Sequence, residues 1–459
     1  MNQHHKETMT MPGEGITAEK LQRLSAPVPR YTSYPTANHF SESVQHATYR
    51  EWLQALEPGS RLSLYLHVPY CHELCWYCAC NTKAVRRYAP VAAYLESLDA
   101  EMANLARVLP RHVVKHIHWG GGSPNVLETE DIRRFGDALA SRFNISASAE
   151  HAVEIDPRLL SDAQVAAFAA MGVNRVSMGV QDFEPAVQAA IGRQQSYAVT
   201  ARAIDAFRAV GVPSINIDLV YGLPHQTLES AMRTMQQVLT LSPDRIAIFG
   251  YAHIPQRMKN QRLIDAASLP GLRARLEMST ELARGLEVAG YVQIGIDHFA
   301  KPNDALATAS VQRNFQGYTT DEADALLGMG ASAIGRLPQG FVQNAVPAED
   351  YARRIRDYGF ATARGIALTA DDRIRAATIE RLMCDFTFSE RDLAAQFGVA
   401  ARPLIAEARA VLAEDHDRLL DATPDGFRVA PHARPFVRTV CAKFDAYLGA
   451  SKAVHSVAV

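Results

Sequence analysis

From residue 61 onward, short apolar runs rich in β-branched residues alternate with longer amphipathic stretches. The runs cover 62–68, 116–119, 152–155, 175–179, 215–220 and 245–251; the stretches between them cover 91–109, 131–143, 162–171, 199–210 and 228–241. Strand alternating with helix at this cadence predicts a β/α series around a parallel sheet. Six such units make a partial (β/α)6 barrel, two short of a closed eight. A doubly wound sheet fits the same periodicity, which carries no information on closure. From about residue 371 the period turns helical, over 373–384, 390–397, 402–414 and 435–448, with 418–429 reading as a hairpin. The organisation expected is a disordered or loosely docked start (1–20), a segment packing near the active site (21–60), a catalytic domain (61–370, barrel core about 61–300) and a C-terminal, mostly helical accessory domain (371–459).

Length and composition narrow the class. A chain of 459 residues, 48% apolar, can bury a large core and an accessory domain without disulfides. Residues 1–15 are polar and lack the apolar centre of a signal peptide. No apolar run reaches the ~20 residues that span a bilayer, so no membrane partner and a cytoplasmic location are expected. Lys+Arg 47 against Asp+Glu 49 leaves a formal charge of −2, which argues against nucleic acid as a partner.

Four of the six cysteines fall within ten residues: Cys71, Cys75, Cys78 and Cys80. Clustered thiols suit a reducing compartment. C-x-x-x-C-x-x-C puts three thiolates on one tight loop, and three ligands leave a four-iron cluster with one iron open, whereas ferredoxin runs supply four. Structural zinc or a redox dithiol are the alternatives, but zinc sites usually draw on a second ligand pair, and none is present here.

The chemistry of parallel sheets lies past the carboxyl ends of the strands, and each run here ends in polar or flexible residues. The second ends in Gly120-Gly121-Gly122-Ser123, where backbone groups are open to a ligand; a plain strand-to-helix turn reads the same way. Glu154 and Asp156 close the third, as acceptors for ribose hydroxyls or as a salt bridge and Asp-Pro turn. Gln181 and Arg193 follow the fourth; Arg193 can hold a carboxylate bidentately. Asp218 sits inside an apolar run and needs a partner or a ligand.

The cysteine run, with Tyr77 as its aromatic, resembles the C-x-x-x-C-x-aromatic-C motif of the radical S-adenosylmethionine (SAM) enzymes. Cys80, the segment R-Y-T-S-Y-P-T at 30–36, G-I-D-H-F at 295–299 and R-N-F-Q-G-Y-T-T at 313–320 resemble the oxygen-independent coproporphyrinogen III oxidases of that superfamily, over about residues 30–448. The resemblance implies a radical-SAM barrel with a winged-helix-like C-terminal domain. It implies one 4Fe-4S cluster on Cys71, Cys75 and Cys78, and two SAM molecules. Tyr65, Gly121, Glu154 and Ile334 match contacts of the cluster-bound SAM; Tyr77, Gly122, Ser123, Gln181, Arg193, Asp218 and Ala252 match contacts of the second. Cys80, a non-ligand, and Tyr65 are carried over as catalytic.

The implied reaction turns two propionates of coproporphyrinogen III into vinyl groups, giving protoporphyrinogen IX in heme biosynthesis. The implied partners are a low-potential donor of flavodoxin or ferredoxin type and an unidentified electron acceptor. Arg30 and Arg313 are candidates for the anionic substrate. Nothing signals a dimer, so a monomer is expected. The rivals are a radical-SAM heme chaperone and another radical-SAM tetrapyrrole enzyme, both disfavoured by Cys80 and by the blocks at 30–36 and 313–320. Two departures from the family stand out: Ile296 replaces a methionine, and the connection 305–312 is about four residues short, a change that loops ordinarily tolerate.

Overall fold

In the computed structural model, which describes residues 16–449, six parallel strands follow one another in chain order. They are β1 (Ser60–Val68), β2 (His112–Gly121), β3 (Ile145–Ile155), β4 (Arg175–Gln181), β5 (Ser214–Tyr221) and β6 (Arg245–Gly250). Between them run α1 (Ala89–Val108), α2 (Thr129–Arg142), α3 (Asp162–Ala170), α4 (Tyr197–Ala209) and α5 (Leu228–Thr240). A doubly wound sheet reverses order within its β/α series at a switch point; these six strands keep one direction, as the barrel expectation requires.

Two-residue alternation builds the barrel. On β1, Leu62, Leu64, Leu66 and Val68 are buried in the core beneath the helices. On β4 and β5 the same role falls to Val176, Met178 and Val180 and to Ile215, Ile217 and Leu219. The intervening row is small or polar, and Ser177, Gly179, Gln181 and Asp218 line the interior. Each outward aliphatic contributes ~1.5–3 kcal/mol by leaving water, so the apolar row holds the sheet while the inner row is left for chemistry.

The sheet extends beyond the six runs read from the sequence. β7 (Val292–Ile294) and β8 (His298–Ala300) add antiparallel strands next to β6. At the other edge β9 (Ala325–Met329) joins β1 in parallel, followed by antiparallel β10 (Ile334–Leu337), β11 (Gly340–Asn344) and β12 (Thr362–Ala367). The twelve strands run β12-β11-β10-β9-β1-β2-β3-β4-β5-β6-β8-β7, and the two ends do not pair. The short connection over 305–312 forms one helical turn, Ala305–Thr308, capped by Asp304. Among the described residues no helix is long and apolar enough to cross a membrane.

The C-terminal region carries the helices Ala370–Asp385, Glu390–Phe397 and Arg402–Ala413. Its three-stranded antiparallel sheet has Gly426–Val429 between Thr387–Ser389 and Leu420–Thr423. Helix, strand, two helices and a hairpin make the winged-helix-like arrangement. Phe427 and Phe444 stack on Phe388 at 5.1 and 6.3 Å.

Two expectations need correction. Of the loose start expected over 1–20, residues 1–15 lie outside the described residues, but a helix spans Ala18–Leu24, capped by Thr17. Leu21 and Leu24 bury into the C-terminal core, which gives that helix a reason to fold. The final helix expected over 435–448 is a 3-10 segment, Pro431–Phe436, followed by a short helix, Val437–Ala442. Pro435 has no N–H to donate to a helical bond.

Glu101 ties α1 to the stretch that follows β9. Buried to 2% exposure, it accepts bonds from Gly330 N (2.7 Å), Tyr351 Oη (2.7 Å) and Asn344 Nδ2 (2.8 Å). Burial pushes its carboxyl up to about 7 despite these three donors. The folded chain therefore holds a proton that the unfolded chain releases near 4.5. Stability from this group is full below that value and falls as pH rises through 7. Urea titrations of Glu101→Gln should show the variant gaining roughly 3 kcal/mol on wild type between about pH 5 and about pH 8. A difference independent of pH would contradict this.

Candidate active site

A cavity of about 570 Å³ opens at the carboxyl ends of the barrel strands. It gathers most of the residues singled out in the sequence: Cys71, Cys75, Cys78, Cys80, Tyr77, Gly121, Gly122, Ser123, Glu154, Gln181, Arg193, Asp218, Ala252 and Arg30 all line it. Three stand elsewhere. Tyr65 is on β1, its hydroxyl 2.9 Å from His67 Nδ1. Ile334 opens β10; a Cβ on Gly328, the β9 partner of Tyr65, would strike the Ile334 backbone. Arg313 lines a separate cavity of about 320 Å³ against Tyr31–Tyr34 and the C-terminal helices.

The loop bearing the cysteines has little structure of its own, and distant residues hold it. Asn260 Nδ2 donates to the carbonyls of Cys75 (3.2 Å), Trp76 (3.1 Å) and Cys78 (2.8 Å), and Gln261 Nε2 to Tyr77 O (2.8 Å). Trp76 N donates to Ile191 O (2.9 Å), and its indole lies so close to Gly192, at φ +63°, that a Cβ there would sit 2.7 Å from Trp76 Nε1. Asn260 and Gln261 escaped the sequence reading. They lie some 180 residues away in a polar stretch, with only amide side chains suited to carbonyls as a signal.

The sulfurs are surrounded by donors. Thr82 Oγ1 is 3.2 Å from Cys71 Sγ, and Ser123 Oγ 3.5 Å. Arg193 Nη1 reaches Cys75 Sγ at 3.4 Å, and Cys80 N reaches Cys78 Sγ at 3.3 Å. The Cys80 thiol and its N–H bring the Cys78 thiol down to about 7 against burial. Among the described residues no three His, Cys, Asp or Glu side chains converge on a single-ion site. Thiols spread along one wall and supplied with N–H and O–H donors suit a multi-iron cluster, whose sulfurs accept such bonds, over one zinc ion.

The glycine wall is built for close approach. At Gly121, φ +105° favours glycine, and a Cβ would collide with the His67 ring; at Gly120 it would meet Glu154 Oε1 at 2.7 Å. Burial works against a charge on Glu154, but His118 Nε2 (3.0 Å) and Gly121 N (3.3 Å) outweigh it and hold the carboxyl below its usual range. Asp218 goes the other way: burial and the nearby Glu154 raise it, though Ser177 Oγ (3.0 Å) and Asn216 Nδ2 (2.8 Å) partner it. The partner expected for Asp218 is thus a pair of neighbours. Asp156 is the salt bridge, to Arg158 Nη2 (2.7 Å) and Arg193 Nη1 (3.3 Å). Arg193, 7% exposed at its side chain, keeps a buried Nε without a hydrogen-bond partner. A bulge between Gly179 and Gln181 turns Gln181, at φ +69°, into the cavity.

Residues 65–238 match the radical SAM superfamily. The chain is 47% identical to the oxygen-independent coproporphyrinogen III oxidase of Bradyrhizobium diazoefficiens, over 94% of this chain and 97% of that one. It is 44% identical to the enzyme of the same name from Paracoccus denitrificans, over 96% and 98%. Among solved structures it resembles the coproporphyrinogen III oxidase of Escherichia coli, a radical SAM enzyme, with TM-score 0.87 and 39% identity over 91% of this chain and 97% of that one.

Removing the Asn260 amide frees three loop carbonyls at once. Anaerobically reconstituted Asn260→Ala, desalted and assayed for iron and sulfide, should retain several-fold less of both than wild type, with unchanged circular dichroism. Wild-type retention would mean that the loop holds its shape unaided.

Proposed function

Because the chain belongs to the oxygen-independent coproporphyrinogen III oxidases of the radical SAM superfamily, we propose a division of labour in which the cysteine loop holds the cluster, the strand ends hold SAM and the cavity mouth holds the substrate. The protein is an oxidoreductase of porphyrin biosynthesis that decarboxylates two propionates of coproporphyrinogen III to vinyl groups without oxygen, giving protoporphyrinogen IX. It uses a 4Fe-4S cluster and SAM. The relatives share this activity and not the chaperone alternative.

When bound, the cluster and SAM supply an electron and a deoxyadenosyl radical able to take hydrogen from a saturated carbon, which no acid–base group can do near neutral pH. Cys71, Cys75 and Cys78 are the ligands, and Cys80, exposed in the cavity, stays off the iron. Gly121 and Glu154 receive the cluster-bound SAM; the charged Glu154 carboxylate is an acceptor for ribose hydroxyls or an ammonium. Tyr65 and Ile334 act from behind this wall. His67 Nε2 donates to Asn81 O at 3.1 Å, which leaves Nδ1 to accept the Tyr65 hydroxyl and fixes both rings.

Tyr77, Gly122, Ser123, Gln181, Arg193, Asp218 and Ala252 receive a second SAM. What supports this is the buried Arg193 Nε left without a bond, suited to a carboxylate. Arg30, at the mouth with its Nη2 on Gly250 O (3.1 Å), receives a substrate propionate. Arg313 lines its own cavity but shares Asp297 with Arg30, and it serves a second carboxylate: it lies over the Tyr318 ring at 4.4 Å and 3.9 Å from Asp297, and its Nε and Nη1 have no hydrogen-bond partner. The protein acts as a monomer. The reducing electron comes from a flavodoxin- or ferredoxin-type protein, and the electron released on decarboxylation passes to an external acceptor.

The observation that carries the reading is the meeting of three thiols, the glycine wall and Glu154 on one cavity. Reconstituted protein given SAM, dithionite, an electron acceptor from cell extract and coproporphyrinogen III should yield the tricarboxylic and then the dicarboxylic product, with none from Cys71→Ser. Arg30→Ala should raise KM for coproporphyrinogen by ~10-fold or more, with a smaller effect on kcat. Wild type that forms its cluster yet never decarboxylates would overturn the assignment.

A further inference from the structure

The cysteine loop is flanked on two sides by cations with no acid among them. Residues 74–95 contain Lys83, Arg86 and Arg87 and no Asp or Glu; residues 251–264 contain Arg257, Lys259 and Arg262 and again neither. In a chain of formal charge −2 this is a local imbalance. All six side chains are exposed, and among the described residues none makes an ion pair. The acids that border them are occupied: Glu73 by Arg158 at 3.1 Å, Asp131 by Tyr88 and Arg134, Asp265 by the backbone of Ala267.

Both segments are bonded directly to the loop that carries the cluster ligands. On one side Lys83 N donates to Pro69 O (3.0 Å) and Val85 N to Cys71 O (2.9 Å), and Cys71 pairs with Ala84 in a short parallel ladder. On the other, Asn260 and Gln261 hold the carbonyls of Cys75 to Cys78. Each cation is therefore within a few residues of a group that touches the loop. One aliphatic stands exposed beside them, Leu263 next to Arg262.

We propose that this basic rim is the docking surface for the reducing partner, a small acidic one-electron carrier protein. The proposal rests on the radical SAM reading, which demands that one electron leave an external carrier and enter the cluster for each SAM cleaved. The cluster must lie near the surface that receives the carrier, because electron transfer weakens steeply with distance. Unpaired cations around that point raise the encounter rate of an acidic protein, an effect that salt removes. The exposed Leu263 adds the small apolar contact typical of weak electron-transfer encounters, which bury less than about 1,200 Å². The anionic substrate is a competing use of the same charge. Arg257, which also lines the cavity, is left out of the test for that reason.

Binding of oxidised flavodoxin, an acidic flavin carrier, to reconstituted enzyme measures the proposal without turnover. Arg86→Glu, Arg87→Glu, Lys259→Glu and Arg262→Glu combined should weaken binding at low salt by at least ~10-fold and flatten its salt dependence. The four Gln replacements should fall between that variant and wild type. With dithionite as reductant, the Glu variant should keep wild-type kcat and KM for coproporphyrinogen. Unaltered flavodoxin binding by the variant, or no binding by wild type, would overturn the proposal. A dithionite-driven KM for substrate that rises in step with the loss of binding would overturn it in favour of substrate steering. Wild type that binds flavodoxin through this rim but makes no vinyl product would defeat the oxidase reading and leave the docking surface standing.

Discussion

Three sulfurs can serve one cluster only if the loop that carries them is held still, and here almost nothing in the loop does so. Two residues, Tyr70–Cys71, pair with Lys83–Ala84; the rest depends on Asn260, Gln261, Ile191 and the tight seat of Trp76 on Gly192. The supporting groups come from past β4 and past β6, so the ligand geometry is a property of the closed half of the barrel and not of the motif alone. That is the usual condition for a working site, where a shell left loose by 1 Å or so costs much of the function. The same economy governs the glycine wall, where each of three glycines makes room for a different neighbour: Glu154, His67 or the Tyr70 carbonyl.

The two ends of the chain are packed on one another. Leu21, Leu24, Tyr31 and Tyr34 belong to the core of the C-terminal domain, with Leu276 from the helix Leu272–Val288. Tyr31 Oη donates to Asp445 (3.0 Å), and Arg438 donates to the carbonyls of Val28 and Pro29. The strap thus presents Val28 and Arg30 to the large cavity from a base set in the accessory domain. Arg30 and Arg313 both feel the buried Asp297, whose carboxyl stays low because His298 and the two arginines offset its burial. A buried charge cluster of this kind adds little to stability, which makes recognition of an anionic substrate the better account of it.

The sequence disclosed more of the site than of what supports it. The six parallel strands and the helices between them follow from the two periods, and most ends follow within a few residues; the third strand, Ile145–Ile155, starts well before the run at 152–155. The ligand loop, Gly121, Glu154 and Gln181 were visible because they follow or end strands of a recognisable motif, and Asp218 because it is a charge inside an apolar run. Strands β7 to β12 were not, since runs of three to six residues at a sheet edge carry too little pattern. Asn260 and Gln261 were invisible for another reason: an amide that bonds backbone carbonyls has no required spacing. Arg158 was missed likewise, although it spans Asp156, Glu73 and the edge of Cys75. The N-terminal helix was masked by neighbouring Pro and Gly; its folding depends on a partner 400 residues away.

The central claim is that the three thiols leave one iron free to bind SAM. The most direct measurement is electron–nuclear double resonance on the one-electron-reduced cluster with SAM labelled by ¹⁵N and ¹³C in its methionine amine and carboxylate. Coupling of both labels to the cluster, retained in Cys80→Ser and absent without SAM, is the result this account predicts. A cluster with no coupling to either label, or one whose spectrum changes when Cys80 is replaced because a fourth thiolate was on the iron, would contradict it.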